Sequence, residues 1–158
     1  MEMHENPASP ALLENSQLEL LHKPISVAEY REYYHRVGEK YFWLDRLVMP
    51  DEELFQKINN ENIDIYIFKM NNEAAGFIEY ILDKDYTEVL YFGLFPEFIG
   101  KGYGKYFLEI AIEKAWSYDP TWIQLNTCTL DHPSALPNYL KAGFKIVKTE
   151  IHQRRVIP

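Results

Sequence analysis

Residues Ile63–Phe95 restrict the possible folds more than any other part of the chain, because they contain three consecutive strand patterns. The three apolar, partly alternating segments are Ile63–Met70, Ala74–Leu82 and Thr87–Phe95. Asn71–Asn72 suits a short turn after the first segment, and Pro96 ends the third because proline lacks the N–H that a sheet ladder needs. Strands joined by turns this short run antiparallel. The sequence therefore predicts a β-meander.

The segments on both sides of the meander predict helices and further strands. Before it we expect a strand around Leu18–His22, a helix capped by Ser26 that runs to about Val37 with Gly38 as its stop, and a helix from Pro50 to about Asn59–Asn60. After it we expect a long helix to about Tyr118, a strand at Trp122–Thr127, a short helix at Ser134–Ala142 and a strand from Phe144. This order predicts an α+β fold, a mixed sheet with helices on both faces.

The 158 residues are enough for one domain. Residues 1–15 carry two prolines and several acids, which predicts a loosely held N-terminal extension followed by one domain over residues 16–158. Asp and Glu outnumber Lys and Arg by 24 to 16, for a net charge of −8. Nucleic acids and anionic membrane surfaces bind proteins with a positive surface field, so we expect neither as a partner. Cationic small molecules or proteins fit this charge.

The cysteine content and the length of the apolar stretches indicate the cellular compartment in which the protein works. Cys128 is the single cysteine, so no disulfide can form within the chain, and the first residues show no secretory signal pattern. The longest stretch without a charged side chain, Pro120–Leu130, is far shorter than the roughly 20 residues that span a bilayer. These features predict a cytoplasmic protein. The sequence leaves a monomer and a homodimer both open.

A glycine-rich turn, with Gly100, Gly102 and Gly104, separates the third meander strand from the long helix. Backbone N–H groups at such a turn can bind an anion with help from the helix dipole, and Lys101 and Lys105 add positive charge. A turn that is merely tight explains the glycines equally well. Neither the Walker loop nor the dinucleotide fingerprint matches, because the glycine and hydroxyl positions that they require hold other residues.

Two motifs together resemble the GNAT superfamily of acetyl-coenzyme A-dependent N-acetyltransferases, over roughly Ser16 to Val156. Its phosphate loop, Arg/Gln-x-x-Gly-x-Gly/Ala, is similar to Ile99–Gly104, with Ile99 in place of the usual Arg or Gln. Its later motif, Asn-x-x-Ala-x-x-x-Tyr followed by Gly-Phe, is similar to His132–Phe144, with His132 in place of the usual Asn. The resemblance implies a mixed, mostly antiparallel central sheet with a splay between two central strands.

The resemblance also implies site residues for acetyl-coenzyme A, the acetyl donor. The implied donor-binding residues are Leu94, Phe95, Ile99, Gly100, Lys101, Gly102, Tyr103, Gly104 and His132. Among them, the backbone amides of Leu94 and Phe95 are expected to be free, where the strands splay, to hold the donor's arm and acetyl carbonyl. Tyr139 matches the tyrosine that protonates the departing thiolate, a feasible transfer since phenol and thiol pKa values are about 10 and about 8.5. Simple core packing is the other interpretation of Tyr139.

Several further residues are candidates for the chemistry of the site. Glu88 begins the splayed strand, where some family members place a base that acts through water; Glu79 and water itself are alternatives, and either carboxylate could simply be solvated. Glu79, Asp83, Asp85 and Glu88 together would attract a cationic amine. The run from Tyr41 to Trp43, with Asp45 and Arg46, lies between the first two expected helices, and the resemblance implies that this region lines the acceptor pocket. Ordinary core packing is the other interpretation. Cys128 is expected in a buried strand, and the scattered histidines predict no metal site.

Together these features predict an enzyme that transfers an acetyl group from acetyl-coenzyme A to a primary amine by direct attack. The acceptor would be a small-molecule amine or a peptide or protein amine. A non-catalytic acyl-coenzyme A-binding module of the same fold is the alternative, since Ile99 and His132 depart from the motifs.

Overall fold

The computed structural model describes residues 2–3, 16–39, 43–99 and 103–125. The described strands form one six-stranded sheet in the order β1-β6-β5-β4-β3-β2. Their bounds are β1 Glu2–Met3, β2 Ser16–Leu20, β3 Ile63–Met70, β4 Glu73–Leu82, β5 Tyr86–Leu94 and β6 Trp122–Leu125. β5 and β6 are parallel and the other pairs are antiparallel, so the sheet is mixed, as predicted.

The predicted β-meander is confirmed as β3, β4 and β5. Asn71 and Asn72 join β3 to β4, both with positive φ, at 52° and 67°. Asparagine tolerates this left-handed backbone better than most residues, and two such residues in succession match the twist of a hairpin. β5 ends at Leu94, just before Pro96, which begins a short 3-10 helix over Pro96–Phe98.

Four described helices pack on the sheet: α1 Val27–Gly38, α2 Asp45–Val48, α3 Asp51–Ile58 and α4 Tyr103–Trp116. The capping role of Ser26 is confirmed, because its hydroxyl accepts a hydrogen bond from the Glu29 amide at 3.1 Å. α2 lies in an apolar, aromatic segment for which the sequence predicted no helix, since four residues are too few to show a helical period. None of the described helices is long and apolar enough to cross a membrane.

The two faces of the sheet bury different helices. Alternate residues of β3 supply both cores: Ile63, Ile65 and Ile67 pack with α1 and α3, while Tyr66, Phe68 and Met70 pack with α4. The predicted apolar face of α4 is confirmed, with Phe107, Leu108, Ile110, Ala111 and Ala115 all buried. Helices therefore cover both faces, as expected from the element order.

The predicted end of α1 is confirmed, because Gly38 is its last residue. A side chain there would overlap Trp43, whose Cβ lies only 2.4 Å from where a Gly38 Cβ would be. One expectation is wrong in detail. Glu2 and Met3 are not loosely held, since they pair with β6 and Met3 is buried in the α4-side core. The helix expected at Ser134–Ala142 and the strand expected from Phe144 lie outside the described residues.

Candidate active site

A β-bulge in β5 decides which side chains of that strand share a face of the sheet. As the pairing advances by one residue on β4, it passes from Tyr91 to Val89 on β5, so Leu90 is an extra residue. Val89 packs in the α4-side core, so its neighbour Glu88 points to the opposite face, where Tyr91 also packs. In a regular strand, residues three positions apart face opposite sides. The bulge therefore brings Glu88 and Tyr91 together on the side of α1–α3.

The carboxyl end of β5 directs backbone amides to both edges of the strand. The Phe95 N–H donates a hydrogen bond to the Ala75 carbonyl of β4 at 2.8 Å. Neighbouring N–H groups on a strand point to opposite edges, so that of Leu94 points away from β4. The described pairing between β5 and β6 ends earlier, at Val89 and Leu125. The expectation of two free amides is thus wrong for Phe95, because its N–H completes the ladder with β4; a donor-binding role for the Leu94 amide stays a prediction.

Helix α1 holds this end of β5 in place. The Arg36 guanidinium lies 3.8 Å from the centre of the Phe95 ring and donates a hydrogen bond to Glu97 at 3.1 Å. A Cβ on Gly93 would lie 2.2 Å from a methyl group of Val37, so only glycine permits this approach of strand and helix. The backbone direction at the end of β5 is set by these contacts with α1.

The start of α4 has features that suit an anionic ligand. Tyr103 begins the helix, its first turn contains Lys105 and no acidic residue, and a helix N-terminus carries partial positive charge. Among the described residues, a Cβ on Gly104 would meet only Leu94, at an ordinary 3.7 Å. Ile99, a partly buried residue after the 3-10 helix, brings no charge of its own. Gly100, Lys101 and Gly102 lie outside the described residues, so their role in binding phosphate stays a prediction.

Glu88 has a defined set of neighbours on β6. Gln124 lies opposite it, and the Gln124 side-chain amide donates a hydrogen bond to Glu88 Oε1 at 2.7 Å. The Trp122 indole N–H donates in turn to Gln124 Oε1 at 2.9 Å. Glu88 is only partly buried. This carboxylate is therefore oriented and still reachable, which a base acting through water requires.

Glu79 has the opposite environment. Its side chain is fully buried, with Tyr30 donating to Oε1 at 2.5 Å and Arg46 donating to Oε2 at 3.3 Å. Burial raises the pKa of this carboxyl, while Arg46 and Tyr30 oppose that rise. Two expectations for Glu79 are therefore wrong. It is not a solvated carboxylate, and its pairing with Arg46 removes it from the acidic group that was expected to attract a cation. Asp83, Asp85 and Glu88 remain in that group.

Aromatic rings surround the Arg46–Glu79 pair. The Arg46 guanidinium lies 5.3 Å from the Tyr91 ring and 5.8 Å from the Tyr30 ring, and Tyr91 packs against Tyr34 and Trp43 at 5.1 and 5.4 Å. Burial raises the pKa of Tyr30 and of Tyr34. No motif singled out Tyr30, Tyr34 or Tyr91, because these residues and Arg46 come from three separate elements. The one available signal was the charged pair Asp45–Arg46 beside the aromatic run.

Several predicted residues cannot be placed. Tyr139, His132, Cys128, Tyr41 and Phe42 lie outside the described residues. Trp43 is described and is buried against Tyr34 and Tyr91. Within the described ranges, no group of three or more His, Cys, Asp or Glu side chains could hold a metal ion.

Solved structures of acetyltransferases share this fold. An aminoglycoside acetyltransferase from an uncultured soil metagenomic sample, in complex with trehalose, superposes with a TM-score of 0.64 at 15% identity, over 91% of this chain and 97% of that chain. A ribosomal-protein-alanine N-acetyltransferase from Brucella melitensis biovar Abortus 2308 gives 0.62 at 14% identity, over 89% and 99%. The aminoglycoside N-acetyltransferase AAC(6')-Iy, in complex with CoA, gives 0.59 at 15% identity, over 89% and 94%.

These identities are low enough that the likeness to solved structures shows the fold alone. No curated protein matches the chain significantly. A model of the acetyltransferase (GNAT) family, however, matches residues 19–144, which is most of the chain and spans β2 to β6. The chain therefore belongs to the GNAT acetyltransferase family.

Proposed function

We propose that the protein transfers an acetyl group from acetyl-coenzyme A to a primary amine of a small molecule or a peptide, by direct attack without a covalent enzyme intermediate. The observation that carries this proposal is the arrangement at the end of β5. There the Leu94 N–H points away from β4, past the last described pair with β6, and α4 begins at Tyr103 with its positive end.

The described residues fit the anionic, thioester-bearing donor. The positive end of α4 and Lys105 suit its phosphates, and the Leu94 N–H suits a carbonyl oxygen of the donor's arm. Gly100, Lys101, Gly102 and Tyr103 would bind the phosphates mainly through backbone amides, since Ile99 offers no charged side chain. His132 would contact the donor's arm. Bound there, the donor supplies the activated acetyl group.

The contacts of the two glutamates favour Glu88 as the base. Glu88 is partly exposed and oriented by Gln124, whereas both oxygens of Glu79 already accept hydrogen bonds in a buried site. A base must accept a proton from the ammonium form of the acceptor or from a water beside it. Glu88 would do this, and Glu79 would hold Arg46. Tyr139 would protonate the departing thiolate.

A panel of primary amines, scored by release of coenzyme A thiol, tests the proposed reaction. Turnover with at least one amine, giving an N-acetyl product, is expected. A chain that binds acetyl-coenzyme A but acetylates none of them would instead be a non-catalytic acyl-coenzyme A-binding module. A chain that neither binds nor reacts would refute the proposal entirely.

Donor binding can be tested with two glycine variants. Acetyl-coenzyme A binds only the folded protein, so it should raise the melting temperature of the parent chain. Gly102→Val should abolish that shift without unfolding the chain, because a side chain would separate the phosphates from the backbone amides. Gly104→Ala is the milder companion: among the described residues only Leu94 lies near the added Cβ, so the chain should fold, and the shift should shrink less than in Gly102→Val. A Gly102→Val chain that keeps the shift of the parent would contradict the phosphate-binding role of Gly102.

The role of Tyr139 can be tested by removing one hydroxyl. Pro137 is tolerated only in the first turn of a helix, which predicts that Tyr139 lies mid-helix with a fixed direction. If its hydroxyl protonates the thiolate, Tyr139→Phe should lower turnover by about 10²–10⁴. Affinity for acetyl-coenzyme A should fall by only about 1 kcal/mol. Core packing predicts parent values of both quantities, so a variant with full turnover would remove Tyr139 from the mechanism.

A further inference from the structure

Arg46 combines burial, charge and an unused hydrogen-bond donor. Its side chain is buried, and Nη2 donates to Glu79. Nη1 is buried as well and has no hydrogen-bond partner of normal geometry among the described residues. Buried donors are rarely left unpaired, and a guanidinium N–H is among the most costly to leave so. This N–H therefore lacks an oxygen partner in the described part of the chain.

The position of Arg46 relates it to the proposed reaction. Its guanidinium lies over the ring of Tyr91, which the bulge puts on the same face as Glu88. Glu88 lies opposite Ile81, two residues along β4 from Glu79, and so about 7 Å farther along the sheet. Tyr91 itself is only partly buried. A molecule lying along this face could contact Glu88 at one end and Arg46 at the other.

Charge decides which kind of oxygen fits. Glu79 already balances the charge of Arg46, so a carboxylate beside the pair would bury an additional, uncompensated negative charge next to Glu79. A neutral carbonyl or hydroxyl oxygen would satisfy Nη1 without adding charge. A plain alkyl amine has no such oxygen. If it displaced a water from Nη1, it would leave that donor unpaired.

We propose that Arg46 is a specificity-determining residue whose Nη1 donates a hydrogen bond to a neutral carbonyl or hydroxyl oxygen, which the acceptor carries close to its reacting amine. This rests on the proposed function and narrows its acceptor class to α-amino amides, such as peptide N-termini, or amino alcohols. Zwitterionic amino acids and simple alkyl amines are then poor acceptors.

Four matched amines separate these classes. L-Alaninamide, L-alaninol, isopropylamine and L-alanine share an amine on a methyl-bearing carbon and differ in one group: an amide, a hydroxymethyl, a methyl or a carboxylate. We expect kcat/KM, expressed per neutral amine, to be higher for alaninamide or alaninol than for isopropylamine, and lowest for alanine. A higher kcat/KM for alaninamide than for alaninol would identify a carbonyl as the preferred oxygen, and the reverse order would identify a hydroxyl. A preference for alanine would overturn the proposal.

Two variants test the residue. Arg46→Lys keeps the charge but loses the planar fork, and Arg46→Met with Glu79→Gln removes both buried charges together. In each, the ratio of kcat/KM for the better oxygen-bearing amine to that for isopropylamine should fall about tenfold, as for one hydrogen bond to a charged group. The same double replacement at the surface pair, Lys69→Met with Glu19→Gln, should leave the ratio unchanged. An unchanged ratio in both Arg46 variants would overturn the proposal.

Binding separates failure of this proposal from failure of the proposed function. If the parent chain acetylates no amine, the proposed function fails, and Arg46 is judged by affinities from NMR titration. Alaninamide or alaninol should then bind more tightly than isopropylamine to the parent chain and lose that advantage in the Arg46 variants. Equal affinities for all three in the parent chain would overturn the proposal, even if both variants failed to fold.

Discussion

Glu79 is held in its site by contacts from three directions. β4 places it in the middle of the sheet, Tyr30 of α1 donates to one oxygen, and Arg46 of α2 donates to the other. Removing one member of a buried ion pair typically costs about 3–5 kcal/mol, because it leaves the other charge without a partner. The pair thereby ties α2, which is too short to be stable alone, to the sheet.

Burial of Glu79 predicts a pH dependence of stability. Its carboxyl pKa is raised above the ordinary value by burial, so the folded chain binds that proton more tightly than the unfolded chain does. The corresponding contribution to the free energy of unfolding is therefore present at low pH. It is lost as the pH rises from the ordinary glutamate pKa, about 4.3, through the raised folded value.

The comparison of the parent chain with Glu79→Gln isolates this contribution, because the other carboxyl groups titrate in both proteins. The free energy of unfolding of the parent, minus that of the variant, should decrease as the pH rises above about 4.3. Denaturant unfolding at a series of pH values measures it. A difference that grows with pH would mean that Arg46 lowers the Glu79 pKa more than burial raises it.

At the scale of elements, the approach of α1 to β5 depends on one missing side chain. Gly93 faces Val37, and a Cβ at that position would overlap a Val37 methyl group. Valine has little freedom to turn away in a helix, since both of its methyl groups branch from Cβ. The same helix carries Arg36, which stacks on Phe95. The contact between Gly93 and Val37 thus sets the position of Leu94 relative to the start of α4.

Gly93→Ala should therefore destabilise the fold by about 1–3 kcal/mol, as overpacking does elsewhere. Val37→Ala in the same chain should relieve the overlap, so that the double variant is more stable than the sum of the single effects by about 0.5–3 kcal/mol. Chemical denaturation of the four proteins gives this coupling energy. Simple additivity would show that the strand and the helix move apart freely. Gly104→Ala, at a position with room for a Cβ, should change stability little.

At the scale of the whole molecule, the net charge of −8 produces a field that attracts cations. Asp83 and Asp85 lie in the turn between β4 and β5, and Glu88 follows close by on β5. An amine acceptor is a cation before it reacts, so the field should raise its local concentration. Salt shortens the reach of this field to about 10 Å at 0.1 M.

The kcat/KM of a monoamine acceptor should consequently fall a few-fold as salt rises to about 0.5 M, since the Debye length then drops well below 10 Å. Asp83→Asn with Asp85→Asn should lower kcat/KM at low salt and weaken its salt dependence. The asparagine side chain can still accept the turn hydrogen bond that Asp83 accepts from the Asp85 amide. Salt-independent kinetics in the parent chain would mean that the field plays no part in capturing the acceptor.

What the sequence determined by itself was local or periodic. The meander from Ile63 to Phe95 follows from apolar alternation and from turn residues such as Asn71–Asn72, and the start of α1 follows from the Ser26 cap. The family follows from the order of its two motifs, which the family match over residues 19–144 confirms. Each of these signals lies within a short stretch of chain, where backbone sterics and hydrogen bonding act.

Only the tertiary structure decided which side chains meet. The bulge at Leu90 reverses the expected face of Glu88 relative to Tyr91, because one extra residue shifts a period of two. The environment of Glu79 comes from Tyr30 and Arg46, which lie 49 and 33 residues away in the sequence. A carboxylate in a strand pattern looks the same whether it faces water or a guanidinium. Its partner is chosen by how the helices pack on the sheet, and no local pattern encodes that choice.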